Sequence, residues 1–156
     1  MLISSPSHGI HIISVLITAL PLVPALAVSQ EVGSGKLDIK VEGFRESEGG
    51  LGCQIFASAK GFPMDPKLAK ASAYVPLIRA SAVCSFENLP AGAYAVAVVH
   101  DENGNQELDT NLFGIPKEGY GVSNNKTYAA SQPKWEESKF ELGTGERKLI
   151  TIKLRY

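Results

Sequence analysis

From residue 36 onward, this chain predicts an all-β fold, a Greek-key β-sandwich of about seven short strands. Three observations carry that expectation. Apolar and polar residues alternate with a period of two, most cleanly where Leu37, Ile39 and Val41 interleave with Lys36, Asp38, Lys40 and Glu42. Turn-forming residues punctuate the stretches, at Gly49-Gly50, Leu89-Pro90-Ala91-Gly92 and Gly143-Thr144-Gly145. No stretch carries the apolar stripe of a long amphipathic helix.

The elements follow in order. After the strand around Leu37 to Val41, residues Leu51, Cys53, Ile55 and Ala57 predict a second strand with Phe56 on its other face. Pro63 and Pro66 mark a loop, and Pro66 suits the first turn of a short helix reaching Lys70. Residues 74–78 predict a strand that Pro76 confines to an edge. Residues 83–87 predict another, with Cys84 and Phe86 on one face. Residues 93–100 are apolar on both faces, the signature of a central strand covered on each side. The small Ala95 and Ala97 predict close approach by another layer. Residues 101–125 are too long for a simple connector and too rich in Leu112, Phe113, Ile115, Tyr120 and Val122 for disorder. They read as an ordered, packed loop, with Phe113, Ile115 and Tyr120 anchored in the core or else presented as a binding surface. Phe140 and Leu142 predict a further strand, and residues 149–156 a last one with Ile150, Ile152 and Leu154 inward.

Charge is distributed unevenly. No Lys, Arg, Asp or Glu precedes Glu31, and residues 10–28 are almost wholly apolar. That run ends in Ala25-Leu26-Ala27, the small-x-small pattern of a signal-peptidase site, just after Pro21 and Pro24. The expected organisation is a signal peptide over 1–27, a linker over 28–35 and one domain over 36–156. An uncleaved anchor is the alternative, because no Lys or Arg precedes the apolar run and its length approaches the roughly 20 residues a spanning helix needs. Cleavage leaves a periplasmic or secreted protein without a membrane segment. Lipidation at the leader's end is not expected, since the first cysteine is Cys53. With 20% charged and 44% hydrophobic residues the composition excludes a disordered chain, and a net charge of -1 gives nucleic acid no electrostatic hold. Export puts Cys53 and Cys84, the two cysteines, where disulfides persist. They read either as a bridge or as two buried thiols.

The stretch Phe86-Glu87-Asn88-Leu89-Pro90-Ala91-Gly92-Ala93-Tyr94 resembles a hairpin of prealbumin-like domains, where such a corner leads into a central strand. A longer block is more specific. It comprises His100-Asp101-Glu102-Asn103-Gly104-Asn105, Leu108-Asp109-Thr110-Asn111, Gly114-Ile115-Pro116-Lys117-Glu118-Gly119-Tyr120-Gly121 and Ser123-Asn124-Asn125. This block resembles the hallmark of a bacterial family catalogued as domain of unknown function 2141. Gln106 departs from it, standing where the family often has glycine. The resemblance implies an exported prealbumin-like or immunoglobulin-like sandwich and implies no activity.

Asp101, Asn103, Asn105 and Asp109 fall at positions 1, 3, 5 and 9 of an EF-hand-like loop, with the carbonyl of Glu107 at position 7. That spacing makes calcium the candidate cofactor, with Glu118 a candidate carboxylate from across the loop. The pattern is incomplete: Gln106 replaces the sharp-turn glycine and Leu112 the final glutamate. The same Asp and Asn residues are also standard turn formers, able to order a loop by themselves. Catalysis is not the expectation. Among residues 28–156, His100 is the one histidine, so a multi-histidine zinc site is excluded, and Gly121-Val122-Ser123-Asn124-Asn125 is not a nucleophile elbow. A hydrolase using His100 with Asp101 and Ser123 is a minor alternative. Trp135 with Tyr120 and Tyr128 reads as an aromatic platform or as an anchor for a sheet end. Asn125-Lys126-Thr127 has the form of a glycosylation sequon, read as coincidence in a bacterial chain.

The functional expectation is a non-enzymatic binding or structural module of the cell envelope, for a protein or glycan partner. Its loop at 101–125, with Glu118, Tyr120 and Asn124, would form the recognition surface. A carrier of a small apolar ligand between the sheets is the second reading.

Overall fold

The alternating stretches form strands. β1 (Gly35–Glu42) buries Leu37, Ile39 and Val41 and turns Lys36, Asp38, Lys40 and Glu42 outward. A computed structural model of the chain describes residues 34–126 and 131–156. The expected signal peptide, the linker up to residue 33, Thr127 and Tyr128 lie outside the described residues. No helix among the described residues is long and apolar enough to cross a membrane.

The strands are β2 (Gly50–Phe56), β3 (Ala71–Pro76), β4 (Ala82–Leu89), β5 (Gly92–Asp101), β6 (Gly119–Val122), β7 (Phe140–Leu142) and β8 (Arg147–Lys153). They form two sheets. In the three-stranded one, β1 runs antiparallel to β4 and parallel to β8. The five-stranded one has the order β3-β2-β5-β6, with β7 pairing the first residues of β5. Between the sheets, Leu37, Ile39, Leu51, Ile55, Val96, Val98 and Ile152 form a buried core. Each such side chain contributes about 1.5–3 kcal/mol relative to exposure, so this layer supplies most of the driving force. Pro76 lies on the edge strand β3, where its missing N–H costs no ladder bond.

Two expectations are corrected. The Leu89-Pro90-Ala91-Gly92 turn does not fold a hairpin, because β4 pairs with β1 and β5 pairs with β2. The turn is a corner that carries the chain from one sheet to the other. The Tyr94 hydroxyl fastens it by donating to the Pro90 carbonyl at 2.8 Å, and burial pushes that phenol's pKa up. The second correction is β6, which the glycine-rich sequence hid inside the long loop. Its glycines serve close approach. A Cβ on Gly121 would stand 2.7 Å from Ile152 Cγ2, and one on Gly119 2.5 Å from the Tyr156 ring. This tightness lets Tyr120 exchange two 2.9 Å backbone hydrogen bonds with Arg155, closing one corner of the sandwich.

The apolar outer face of β5 is covered at one end. There Phe56, Ala97 and Val122 are buried beneath Phe62, Ala69 and Trp135, whose aromatic rings meet edge to face. Trp135, which opens the single helical turn α1 (Trp135–Ser138), is therefore an anchor on the sheet. Among the described residues, the covering layer consists of loop segments and lies over one part of that face.

Cys53 of β2 and Cys84 of β4 are bridged, joining the two sheets through the core. With a sequence separation of 31, the bridge restricts the unfolded chain enough to add about 3 kcal/mol. Replacing both cysteines by alanine should lower the melting temperature on the order of 10 °C with the circular dichroism of a β-protein retained. A melting temperature unchanged by that double substitution would show that the bridge does not staple the sandwich.

Candidate functional site

β5 ends in two polar residues that the pleat sends to opposite faces. His100 points inward and is completely buried. Its Nε2 lies 3.0 Å from the Glu48 carbonyl, which can only accept, so Nε2 carries the hydrogen. Nδ1 then accepts from the Tyr156 hydroxyl at 2.7 Å, and that hydroxyl accepts from the Arg45 N–H. Burial raises the Tyr156 pKa most, and the Glu102 charge adds to it, against the opposing Arg45 N–H. The Arg45 guanidinium lies over the Tyr156 ring at 4.3 Å and grips Glu102 with two bonds of 2.7 and 2.8 Å, which hold it all the more firmly protonated.

Asp101 points to the outer face and is 2% exposed. Its Oδ1 accepts from the N–H groups of Gly104 and Asn105, and its Oδ2 from the Gln106 N–H and the Tyr74 hydroxyl. Desolvation and this bond to Asp101 raise the Tyr74 pKa. Gln106 takes the left-handed φ of 62° that the turn demands, although it is not glycine. Glu118, also buried, accepts from the Glu102 and Asp109 N–H groups, bridging the two ends of the turn at 3.0 Å each. Asn103 and Asn105 direct their amide nitrogens at the Asp109 carboxylate, while their oxygens accept from the Asn105 and Glu107 N–H groups.

The predicted calcium ligands are thus brought together, along with Glu118. Both Asp101 oxygens and both amide oxygens accept N–H groups of the loop. The Asn103 and Asn105 amide nitrogens face the Asp109 carboxylate. No group of three or more His, Cys, Asp or Glu side chains capable of holding a metal is found among the described residues. These bonds tie the turn to itself, and the Tyr74 hydroxyl ties it to β3. Glu107, expected to offer its carbonyl, enters the cluster through its N–H, which donates to Asn105 Oδ1 at 2.8 Å.

His100, Asp101 and Ser123 are not assembled into a triad. Ser123 Oγ accepts from the Val96 N–H and donates to the Ser138 carbonyl at 2.6 Å. Val96 lies four residues from His100 along β5, about 13 Å at strand rise. Asn124, expected at the recognition surface, sits at a φ of 64° and donates to the Glu137 and Lys139 carbonyls, so it holds α1. Asn125 donates to the Thr151 carbonyl and accepts from the Lys153 N–H, imitating a neighbouring strand beside β8. The block Ser123-Asn124-Asn125 is a structural junction.

The remainder of the long loop behaves differently. Asn111 and Ile115 close a turn, Lys117 N–H reaches the Asp109 carbonyl, and Asn111 Oδ1 accepts from both the Phe113 and Ile115 N–H groups. This small ribbon is well bonded, yet its tip is apolar and wet. Leu112 is fully exposed, Phe113 is 86% exposed and Ile115 59%. The expectation that Phe113 and Ile115 anchor the loop in the core is therefore corrected, and Tyr120 is half-buried on β6. Between this ribbon and the Pro63-Met64 loop lies a groove of about 490 Å³ on the outer face of the five-stranded sheet. Its floor is Ala97, Val99, Tyr120 and Val122, and among the described residues no charged side chain lines it. Sequence reasoning missed the groove, although the two-faced apolarity of β5 and its small Ala97 were the signal for it.

The family model for uncharacterized proteins conserved in bacteria, domain of unknown function 2141, matches residues 39–150. No curated protein and no solved structure matches the chain.

Asp101→Ala should destabilise the protein on the order of 3 kcal/mol in denaturant unfolding, since three N–H groups and the Tyr74 hydroxyl lose their acceptor. The melting temperature should be the same in chelator and in millimolar calcium. A calcium-dependent rise abolished by Asp109→Ala would instead show a cation displacing the Asn103 and Asn105 amides.

Proposed function

The chain belongs to the bacterial family domain of unknown function 2141, and we propose that it is a non-catalytic binding module of the cell envelope. It takes an apolar ligand into the groove on the outer face of its five-stranded sheet. One observation carries this reading: a hydrogen-bonded ribbon holds Phe113 and Ile115 in solvent beside an apolar groove. Leaving apolar area in water forgoes about 25 cal/mol per Å², and grouped exposed apolar residues mark interaction sites. A volume of about 490 Å³ falls within the roughly 300–1,000 Å³ of small-ligand sites. The space between the sheets is occupied by packed core side chains, so the ligand site of the carrier reading moves to the outside of the sandwich. The absence of catalysis is supported by the engaged ring nitrogens of His100 and the engaged hydroxyl of Ser123. Placement in the envelope is supported by the apolar run at 10–28 and by the disulfide, which suits an oxidising compartment.

The neutral apolar dye N-phenylnaphthylamine should brighten on binding the protein. Phe113→Asp with Ile115→Asp should weaken that binding about tenfold, while the melting temperature moves little because both side chains are exposed. Equal dye binding by the wild type and the double variant would rule the groove out.

A further inference from the structure

The ribbon tip is more apolar than a ligand in the groove requires. Phe113 and Ile115 wall the groove, and exposed Met64 stands on its other lip. Leu112 is fully exposed and does not line the groove, so no ligand lying there covers it. The backbone of the tip is suited to leaving water. The N–H groups of Asn111, Phe113, Gly114, Ile115 and Lys117 are bonded within the ribbon and at its base. Pro116 has no N–H, and that of Leu112 remains for water or a headgroup oxygen. Backbone groups enter lipid at low cost only when already paired. No Asp or Glu stands between Asp109 and Glu118, and those two carboxylates are tied into the turn below. No carboxylate therefore has to be dehydrated at the tip. The first charge after it is the exposed Lys117, of the sign that an anionic lipid surface attracts.

We propose that Leu112, Phe113 and Ile115 form a membrane-docking tip whose partner is the surface of a phospholipid bilayer. The three side chains enter the boundary between headgroups and acyl chains, about 5–10 Å deep, as other interfacial apolar elements do. The contact is peripheral and needs no spanning segment. It goes beyond the groove reading and does not depend on it, because Leu112 lies outside the groove lining. If both hold, an apolar ligand passes between bilayer and groove without crossing open water. A protein partner or a second copy fits less well. Three side chains fall far short of the roughly 20–30 residues a side of a stable protein interface. The ribbon has also spent its N–H groups on itself, and a bilayer asks for none of them.

The test places a tryptophan at the tip. Phe113→Trp in the full chain is mixed with vesicles of phosphatidylglycerol and phosphatidylcholine, the latter brominated along its acyl chains, and the wild type supplies the Trp135 background. Tip emission should shift to the blue and be quenched by the brominated lipid. Leu149→Trp, also exposed but on the three-stranded sheet, should be neither shifted nor quenched. The apolar run at 10–28 is common to every variant, so dependence on position separates tip insertion from adsorption of the chain. Adding Leu112→Asp to Phe113→Trp should abolish the quenching and leave N-phenylnaphthylamine binding in lipid-free solution unchanged. Emission indifferent to brominated lipid, equal quenching at both positions, or a lipid-free dimer dispersed by Leu112→Asp overturns the bilayer as partner while the groove stands. Quenching at the tip without any dye binding sinks the groove instead and upholds the docking tip.

Discussion

The pleat of β5 is the constraint on which the rest of the molecule depends. A strand alternates its side chains, so each face of β5 meets a different environment along its whole length. Val96 and Val98 go to the core, while Ala97 and Val99 go outward and floor the groove. At its end the same alternation sends His100 in and Asp101 out. A one-residue slip would exchange these roles, burying a carboxylate in the core and exposing the valines. The pairing of β5 with β2 along seven residues and with β6 and β7 on its other side holds that register.

From this strand end the protein builds order without regular structure. His100 gathers Glu48, Tyr156 and, through Tyr156, Arg45. Asp101 and Glu118 serve five N–H groups of the turn between them, and Asn111 serves two more at the tip. A long loop bonded in this way loses little entropy on meeting a partner, because its ordering has occurred on folding. That is the physical basis for placing apolar side chains at a tip surrounded by water.

Much of the fold was legible because alternation reports burial directly. Leu37, Ile39, Val41, Cys53, Cys84 and Ile152 face inward as their spacing required. β6 was illegible because its inward positions, Gly119 and Gly121, are glycines chosen for contact with Tyr156 and Ile152, and glycine reads as loop. The ligand-like spacing of Asp101, Asn103, Asn105 and Asp109 located a converging cluster. Spacing alone does not reveal that backbone N–H groups engage the oxygens. The exposure of Phe113 and Ile115 could not be read either, since apolar residues carry the same identity in a core and at a wet tip. Arg45 and Tyr156 meet through folding alone, being more than a hundred residues apart in sequence.

The Asn125 side chain has a consequence for how copies of this protein behave together. β8 lies at the rim of the three-stranded sheet, and a bare rim offers a row of donors and acceptors to any passing strand. One amide group occupies the Thr151 carbonyl and the Lys153 N–H, terminating the ladder with a side chain where another molecule's backbone would otherwise add on. Pro76 blunts β3 at the opposite boundary by lacking a donor. Both devices occupy positions where an added strand would seek ladder bonds, while the apolar tip at Leu112, Phe113 and Ile115 stays exposed.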